Sequence, residues 1–384
     1  MLFSEGWELF DSYGSFYYLS EISNYLFLVL ILFIFIHFRL IDKKYSIFWL
    51  LFLSTPFFFN FILFNPEYLS DQFKYIREIN NIKSNGLTDI DVSNYGGLKR
   101  ARIQVSSFLL SLFPVFSYLT VTSLAFTNKL IAMIMFVFLS KRIPANKVIL
   151  FFLIPSFILF TSVGLREVLV IFFSVLSIIY LIEEKPILSL IAILLVTITK
   201  IQNGPAYLVI WLLFFVFKAY KDNLRLLLSL AFGVIGIIVL FEFYEPVINL
   251  YRQAYAIEDG LSYEEAMSLG IGSGISLMLT TLKEIPIFLL KPLPWQITNG
   301  FALFVFIESV FLFYLFYLFA FKDGLFLKRK NLIILIGFII GIGIHALTVF
   351  NFGTLSRYRF TAFLPFLIGF YYLRLLDNDK KKTA

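Results

Sequence analysis

Two turns in this chain place arginine beside small and polar residues. One is Thr161-Ser162-Val163-Gly164-Leu165-Arg166-Glu167, and the other is Asn351-Phe352-Gly353-Thr354-Leu355-Ser356-Arg357-Tyr358-Arg359. Lys200 closes an apolar run in Thr199-Lys200-Ile201-Gln202-Asn203, and Lys129 lies inside another. Arginine matches phosphate oxygens through paired donors, and lysine adds a point charge. Helices beginning near Arg166 and Arg359 would add partial positive charge from their free N–H groups. The chemistry this suits is diphosphate binding, with Arg166, Arg357 and Arg359 as principal ligands and Lys200 and Lys129 beside them. The competing reading is that each side chain reaches out to lipid phosphates or pairs with Glu167 or Glu308.

A transfer reaction also needs a proton acceptor. Asp71 sits in Ser70-Asp71-Gln72-Phe73-Lys74-Tyr75-Ile76-Arg77-Glu78, where helical spacing puts Asp71, Lys74, Tyr75 and Glu78 on one face. It is a candidate general base for a sugar hydroxyl; the alternative is a solvated helix with an i,i+3 ion pair. His345 has an unperturbed pKa suited to proton transfer, although a lone His on an apolar helix is usually a packing residue. Glu308 is a carboxylate inside an apolar run, which is costly unless it is paired or faces a polar cavity. Trp295, in Lys291-Pro292-Leu293-Pro294-Trp295-Gln296, and Tyr75 offer faces for sugar rings. Tyr244, Tyr251 and Tyr255 are weaker candidates of the same kind. Trp at a membrane boundary is also ordinary.

These residues need a frame, and composition identifies it. Of 384 residues, 60% are hydrophobic and 15% charged, with 50 Phe; mean hydropathy is +0.87. That excludes an ordinary soluble globule and a disordered chain. Apolar runs at about 23–41, 47–64, 123–140, 148–163, 167–182, 187–199, 206–218, 226–241, 301–321, 332–350 and 360–376 predict eleven transmembrane helices in one polytopic domain, 1–384. Stretches 104–118 and 275–292 are apolar but interrupted, the first by Pro114 and the second by Lys283, Glu284 and Pro286. With an external N-terminus, carrying Glu5, Glu8, Asp11 and Glu21, the short basic clusters all fall on the cytoplasmic side if these two stretches do not cross. They are therefore expected to be re-entrant or interfacial on the outer side. The C-terminus is then cytoplasmic, and 65–103 and 242–300 are two long periplasmic loops. Long loops are where functional residues gather.

Absences narrow the chemistry. There is no Cys and there are two His, His37 and His345, so thiol nucleophiles, Cys-ligated metals and His-rich metal sites are excluded. No Walker-type loop, G-x-G-x-x-G or H-E-x-x-H motif occurs. No cofactor, metal, ATP or nucleic-acid partner is expected. No internal repeat is visible, which counts against transporter folds built from repeated halves.

The run from Lys291-Pro292-Leu293-Pro294-Trp295 to Glu308 resembles the P-x-P-W…E element of bacterial oligosaccharide repeat-unit polymerases, the Wzy-type O-antigen polymerases. Ser162-Val163-Gly164-Leu165-Arg166-Glu167 is similar to their S-x-G-x-R-[ED] turn, and Thr127-Asn128-Lys129 to their Asn-basic pair. The 351–359 segment resembles their last external loop. The resemblance covers about 104–376 in matching order, and departs at Lys200, where the family pattern has Arg. It implies a GT-C-like glycosyltransferase of the bacterial inner membrane. Such an enzyme transfers a growing glycan from undecaprenyl diphosphate to an undecaprenyl-diphosphate-linked repeat unit at the periplasmic face, in lipopolysaccharide or other surface-polysaccharide biosynthesis. Arg166, Arg357 and Arg359 would stabilise the diphosphate leaving group, helped by Lys200. Asp71 or His345 would serve as base, and a chain-length regulator protein would be a partner. The alternatives are an O-antigen ligase, a polyprenyl-phosphate-dependent GT-C enzyme and, from a different class, a lipid-linked oligosaccharide flippase.

Overall fold

In the computed structural model the described residues are 4–60, 62–63, 69–86, 95–219, 245–246, 248–250, 252–254, 256–257, 262–271, 275–298, 300–322, 328–348 and 352–383. Among them the chain is helical throughout, with no β-strand. It divides into two compact units, Met1–Phe172 and Phe173–Ala384.

The first unit contains α1 (Ser4–His37), α2 (Ser46–Ser54), α3 (Pro56–Phe59), α4 (Asp71–Asn85), α5 (Tyr95–Ser111), α6 (Val121–Ser140), α7 (Ala145–Phe152), α8 (Pro155–Ser162) and the start of α9 (Glu167–Ile182). Helix α6 is its centre, packing on α1, α3, α4, α7 and α8. Its N-terminus is closed by a capping box of Thr120 and Ser123. Both hydroxyls also donate to the buried Glu21 carboxylate of α1, each at 2.6 Å. That pins α1 to α6 and satisfies a carboxylate with no exposed surface. In the same unit Trp49, Phe52, Phe136, Phe152 and Phe157 interlock in edge-to-face, tilted and stacked pairs, with ring centroids 4.5–6.2 Å apart. Phe is abundant here because aromatic rings fill volume between helices and gain from offset and edge contacts.

The second unit contains the rest of α9, α10 (Pro186–Thr199), α11 (Gly204–Ala219), α12 (Tyr263–Ser268), α13 (Ile275–Leu290), α14 (Gly300–Phe316), α15 (Arg329–Thr348) and α16 (Phe352–Thr383). Helix α15 packs along α11, α13 and α16. Its sequence permits that closeness. A Cβ on Gly337 would lie 2.1 Å from Cγ1 of Ile210, and one on Gly341 would lie 3.3 Å from Ala206. Small residues four apart let helix backbones approach where no hydrophobic force distinguishes protein from lipid.

Among the described residues, five helical segments are long and apolar enough to cross a membrane: Leu19–His37, Val121–Ser140, Ala302–Phe321, Arg329–Leu347 and Leu355–Asp379. They stand where 23–41, 123–140, 301–321, 332–350 and 360–376 were expected. The expected 148–163 span is the α7–α8 pair, bent by 73° at Pro155 and a sixth crossing if the pair is one span. At 167–182, 187–199 and 206–218 the helices are apolar but shorter. The 47–64 run is divided at Pro56 into α2 and α3, because proline lacks the N–H a continuous helix needs. The 226–241 run lies outside the described residues. Of the interrupted stretches, α5 ends at Ser111, before Pro114, whereas α13 runs through Lys283, Glu284 and Pro286. The 65–103 loop carries α4 and the first part of α5, and the 242–300 loop carries α12 and α13.

Replacing Gly337 with Leu is expected to separate α15 from α11 and to cost about 1–3 kcal/mol. Gly300 has open space around its Cα, so Gly300→Ala serves as the neutral control. Thermal unfolding of the two purified variants in detergent checks the difference; equal midpoints would refute the close packing.

Candidate functional site

Arg166 lies on the turn between α8 and α9 in the first unit, whereas Arg357 and Arg359, expected in an exit loop, lie within α16 of the second unit, whose helix already starts at Phe352. In the first unit the turn from Ser162 to Arg166 breaks the helix between α8 and α9, and its backbone groups need partners. Asn60 Nδ2 donates to Ser162 O at 3.0 Å, and Asn128 Nδ2 donates to both Val163 O and Leu165 O at 2.7 Å. Gly164 N donates to Gln72 Oε1 at 2.6 Å. Gly164 has to be glycine, since a Cβ there would meet Val121 O at 2.8 Å and Gln72 Oε1 at 3.2 Å. Three side chains from α4, α6 and the end of α3 thus hold the turn, and through it the half-buried Arg166. The Arg166 guanidinium lies 5.7 Å from the Tyr75 ring centre and its Nη1 is 3.5 Å from Ser106 Oγ. Gln72 Nε2 and Asn128 Oδ1 are buried without hydrogen-bond partners among the described residues.

Helix α4 does not present the face expected for it. Its buried residues are Gln72, Tyr75, Ile76 and Ile79, while Lys74 is exposed. Asp71 lies at the edge of that face and accepts from Lys74 Nζ at 2.9 Å. Tyr75 therefore shares a face with Gln72, not with Lys74, because the apolar i, i+3, i+4, i+7 set turns inward. Tyr118 ties the neighbouring end of α5: its hydroxyl donates to Phe113 O at 2.6 Å. Burial pushes that phenol up to about 12, so it stays a donor. Lys83 of α4 lies 3.9 Å from the centre of its ring.

Lys129 is fully buried. Its ammonium donates to Thr161 Oγ1 at 2.8 Å and lies 3.6 Å from the centre of the Phe52 ring. No carboxylate pairs with it among the described residues. Its contacts are those of the aromatic core, a cation–π arrangement that offsets part of the cost of burial.

In the second unit Lys200, His345 and Tyr358 come together. The Lys200 ammonium lies 3.5 Å from the Tyr358 ring centre, and the His345 ring stacks on that ring at 5.2 Å and 15°. His345 Nε2 is 2.8 Å from Asn203 Oδ1. All four residues are buried, Lys200 completely. Arg357 is half-buried next to Tyr358, its guanidinium 5.9 Å from that ring centre.

Arg359 faces elsewhere. Only 3% exposed, it donates from Nη1 to Leu289 O at 3.2 Å, and also to Phe288 O and Lys291 O, at the C-terminal end of α13. Glu308, also buried, attracts it electrostatically. Arg252 does the same for α15, donating to Leu347 O at 3.1 Å; burial pushes its guanidinium below its ordinary value, against the opposing pull of Glu284. Trp295 is 78% exposed, in a turn following Pro292. Tyr244, Tyr251 and Tyr255 lie outside the described residues.

The structure brings Arg166 to Tyr75 beside Asp71, Lys200 to His345 near Arg357, and Glu308 to Arg359. Gln72, Asn203 and Tyr358 were not singled out from sequence, and Asn128 entered only as the Asn of the Asn-basic pair. Their signal was available: each is polar or hydroxylated and adjacent to a charged candidate or one residue from a turn. No group of three or more His, Asp or Glu residues could hold a metal ion among the described residues. Compared with protein-family models, curated proteins and solved structures, the chain matches none.

The two neighbouring arginines should separate on substitution. Arg359→Ala removes the donor to the carbonyls at the end of α13 and the positive charge that attracts Glu308, and is expected to cost about 2–4 kcal/mol. Arg357→Ala, half-buried on an aromatic face, should change stability by no more than about 0.5–1 kcal/mol. Melting midpoints of the two proteins check this, and a larger loss in Arg357→Ala would reverse the assignment.

Proposed function

We propose that this chain is a polytopic membrane glycosyltransferase that polymerises lipid-linked oligosaccharide repeat units. In this reading it has eleven spans in a GT-C-like arrangement in the bacterial inner membrane, with the N-terminus periplasmic and the C-terminus cytoplasmic. The donor is a glycan on undecaprenyl diphosphate, the acceptor a repeat unit on the same lipid, and undecaprenyl diphosphate is the leaving group. The observation that carries the reading is Arg166, a half-buried guanidinium on a turn that three other elements hold in place. A cation held in that way, in a chain of apolar helices, suits electrostatic stabilisation of a departing diphosphate. Arg357 is the corresponding cation of the second unit, with Lys200 behind it. Asp71 and His345 are the bases available to the acceptor hydroxyl, and Tyr75 offers a face to a sugar ring. Neither ATP nor a metal is required, since the diphosphate ester supplies the driving force.

A lipid-linked oligosaccharide flippase is the second reading. It is favoured by charges buried well inside the helices, Lys129 in α6 and Glu308 in α14. A flippase moves its substrate and leaves every glycosidic bond as it was.

The deciding experiment uses the purified protein, the native undecaprenyl-diphosphate repeat unit and no energy source. A ladder of elongated glycans is expected from wild type, with at least a hundredfold loss in Arg166→Ala and Arg357→Ala at unchanged melting temperature, equivalent to about 2.7 kcal/mol or more of transition-state stabilisation. No ladder from a substrate that a known polymerase elongates would remove the polymerase reading and leave the flippase.

A further inference from the structure

Gln72 has one half of its carboxamide engaged and the other half unengaged. Its Oε1 accepts the Gly164 N–H at 2.6 Å, two residues before Arg166. The side chain has no exposed surface, and Nε2 has no hydrogen-bond partner among the described residues. A buried N–H donor left unpaired is disfavoured by roughly 1–3 kcal/mol, and native proteins rarely keep one without a use for it. Three residues along the same buried face, Tyr75 lies beneath the Arg166 guanidinium. The turn therefore carries a cation against an aromatic ring and, at the glycine two residues before it, a side chain whose neutral donor has no partner among the described residues. That combination selects an acceptor-only, negatively charged ligand over a neutral hydroxyl.

We infer that Gln72 is a further ligand-binding residue of the Arg166 site. Its carboxamide oxygen holds the turn, and its amide nitrogen donates to an oxygen of the phosphate-type oxyanion bound by Arg166. The inference rests on the reading of Arg166 as a diphosphate ligand. It explains why α4 carries a glutamine on a face otherwise made of Tyr75, Ile76 and Ile79. A glutamate there could accept from Gly164 equally well but would repel the anion. A methionine would fill the space and do neither.

The test titrates the purified full-length protein in detergent with inorganic diphosphate and with farnesyl diphosphate, reading Kd by calorimetry. Wild type is expected to bind and Arg166→Ala to lose binding. Gln72→Glu, which keeps an acceptor for Gly164, is expected to bind at least about tenfold more weakly, the loss of one charge-assisted hydrogen bond, with its melting temperature recorded to show that it is folded. Gln72→Met should weaken binding to a similar degree without adding charge. If a folded Gln72 variant binds like wild type while Arg166→Ala does not bind, Gln72 only braces the turn and the inference fails, with the Arg166 reading intact. If wild type binds neither probe, the Arg166 reading fails and Gln72 falls with it. Weakened binding in both Gln72→Glu and Gln72→Met at unchanged melting temperature supports the inference with either probe. Tighter wild-type binding of farnesyl diphosphate then assigns the oxyanion to a lipid headgroup, and equal affinity assigns it to a free phosphate compound.

Discussion

Where helices break inside an apolar surrounding, their end groups must be paired by the protein itself, because lipid offers no hydrogen bonds. Much of the polar chemistry in this chain answers that requirement. The turn before α9 takes its partners from Asn60, Gln72 and Asn128. The end of α13 is paired by Arg359, and the end of α15 by Arg252. On α6 the N-terminal hydroxyls are themselves engaged by Glu21. Each of these side chains stabilises a helix end and, in doing so, fixes the position of whatever stands next to it.

That is how the candidate site acquires its rigidity. Three clamps hold the backbone of the turn that carries Arg166, so the base of its side chain is fixed before any ligand arrives. Such preorganisation is what electrostatic stabilisation of a leaving group depends on. In the second unit the same role falls to Tyr358, a ring shared by Lys200, His345 and Arg357. The ring lowers the cost of keeping an ammonium out of water. The two clusters are built differently: hydrogen bonds to backbone hold the first, and aromatic faces hold the second.

The basic residues divide by how far they are committed. Arg359 and Arg252 spend their donors on helix-end carbonyls, and Lys129 is enclosed by Thr161 and Phe52. Arg166 and Arg357 are half-buried and lie against tyrosine rings. A cation that lies against an aromatic face and keeps some exposed surface is better suited to meet a ligand than one whose N–H groups already point at carbonyls. From the sequence Arg166, Arg357, Arg359 and Lys129 were all read as diphosphate ligands.

Composition and hydropathy alone determined that this is a helical membrane chain, because apolar runs of that length have no soluble use. They also located the five long apolar segments of the described residues and both arginine-bearing segments, since charge and glycine stand out against an apolar background. What they could not settle was commitment. Whether 47–64 continues through Pro56, whether Tyr75 faces Lys74 or Gln72, and whether Arg359 meets a ligand or the end of α13 all depend on partners distant in the chain. Gln72 lies 92 residues from Gly164, Asn203 142 residues from His345, and Arg359 70 residues from Leu289. A side chain's type follows from local sequence, but the group its donors satisfy is decided only when the helices pack, because pairing buried polar atoms is a property of the assembled fold.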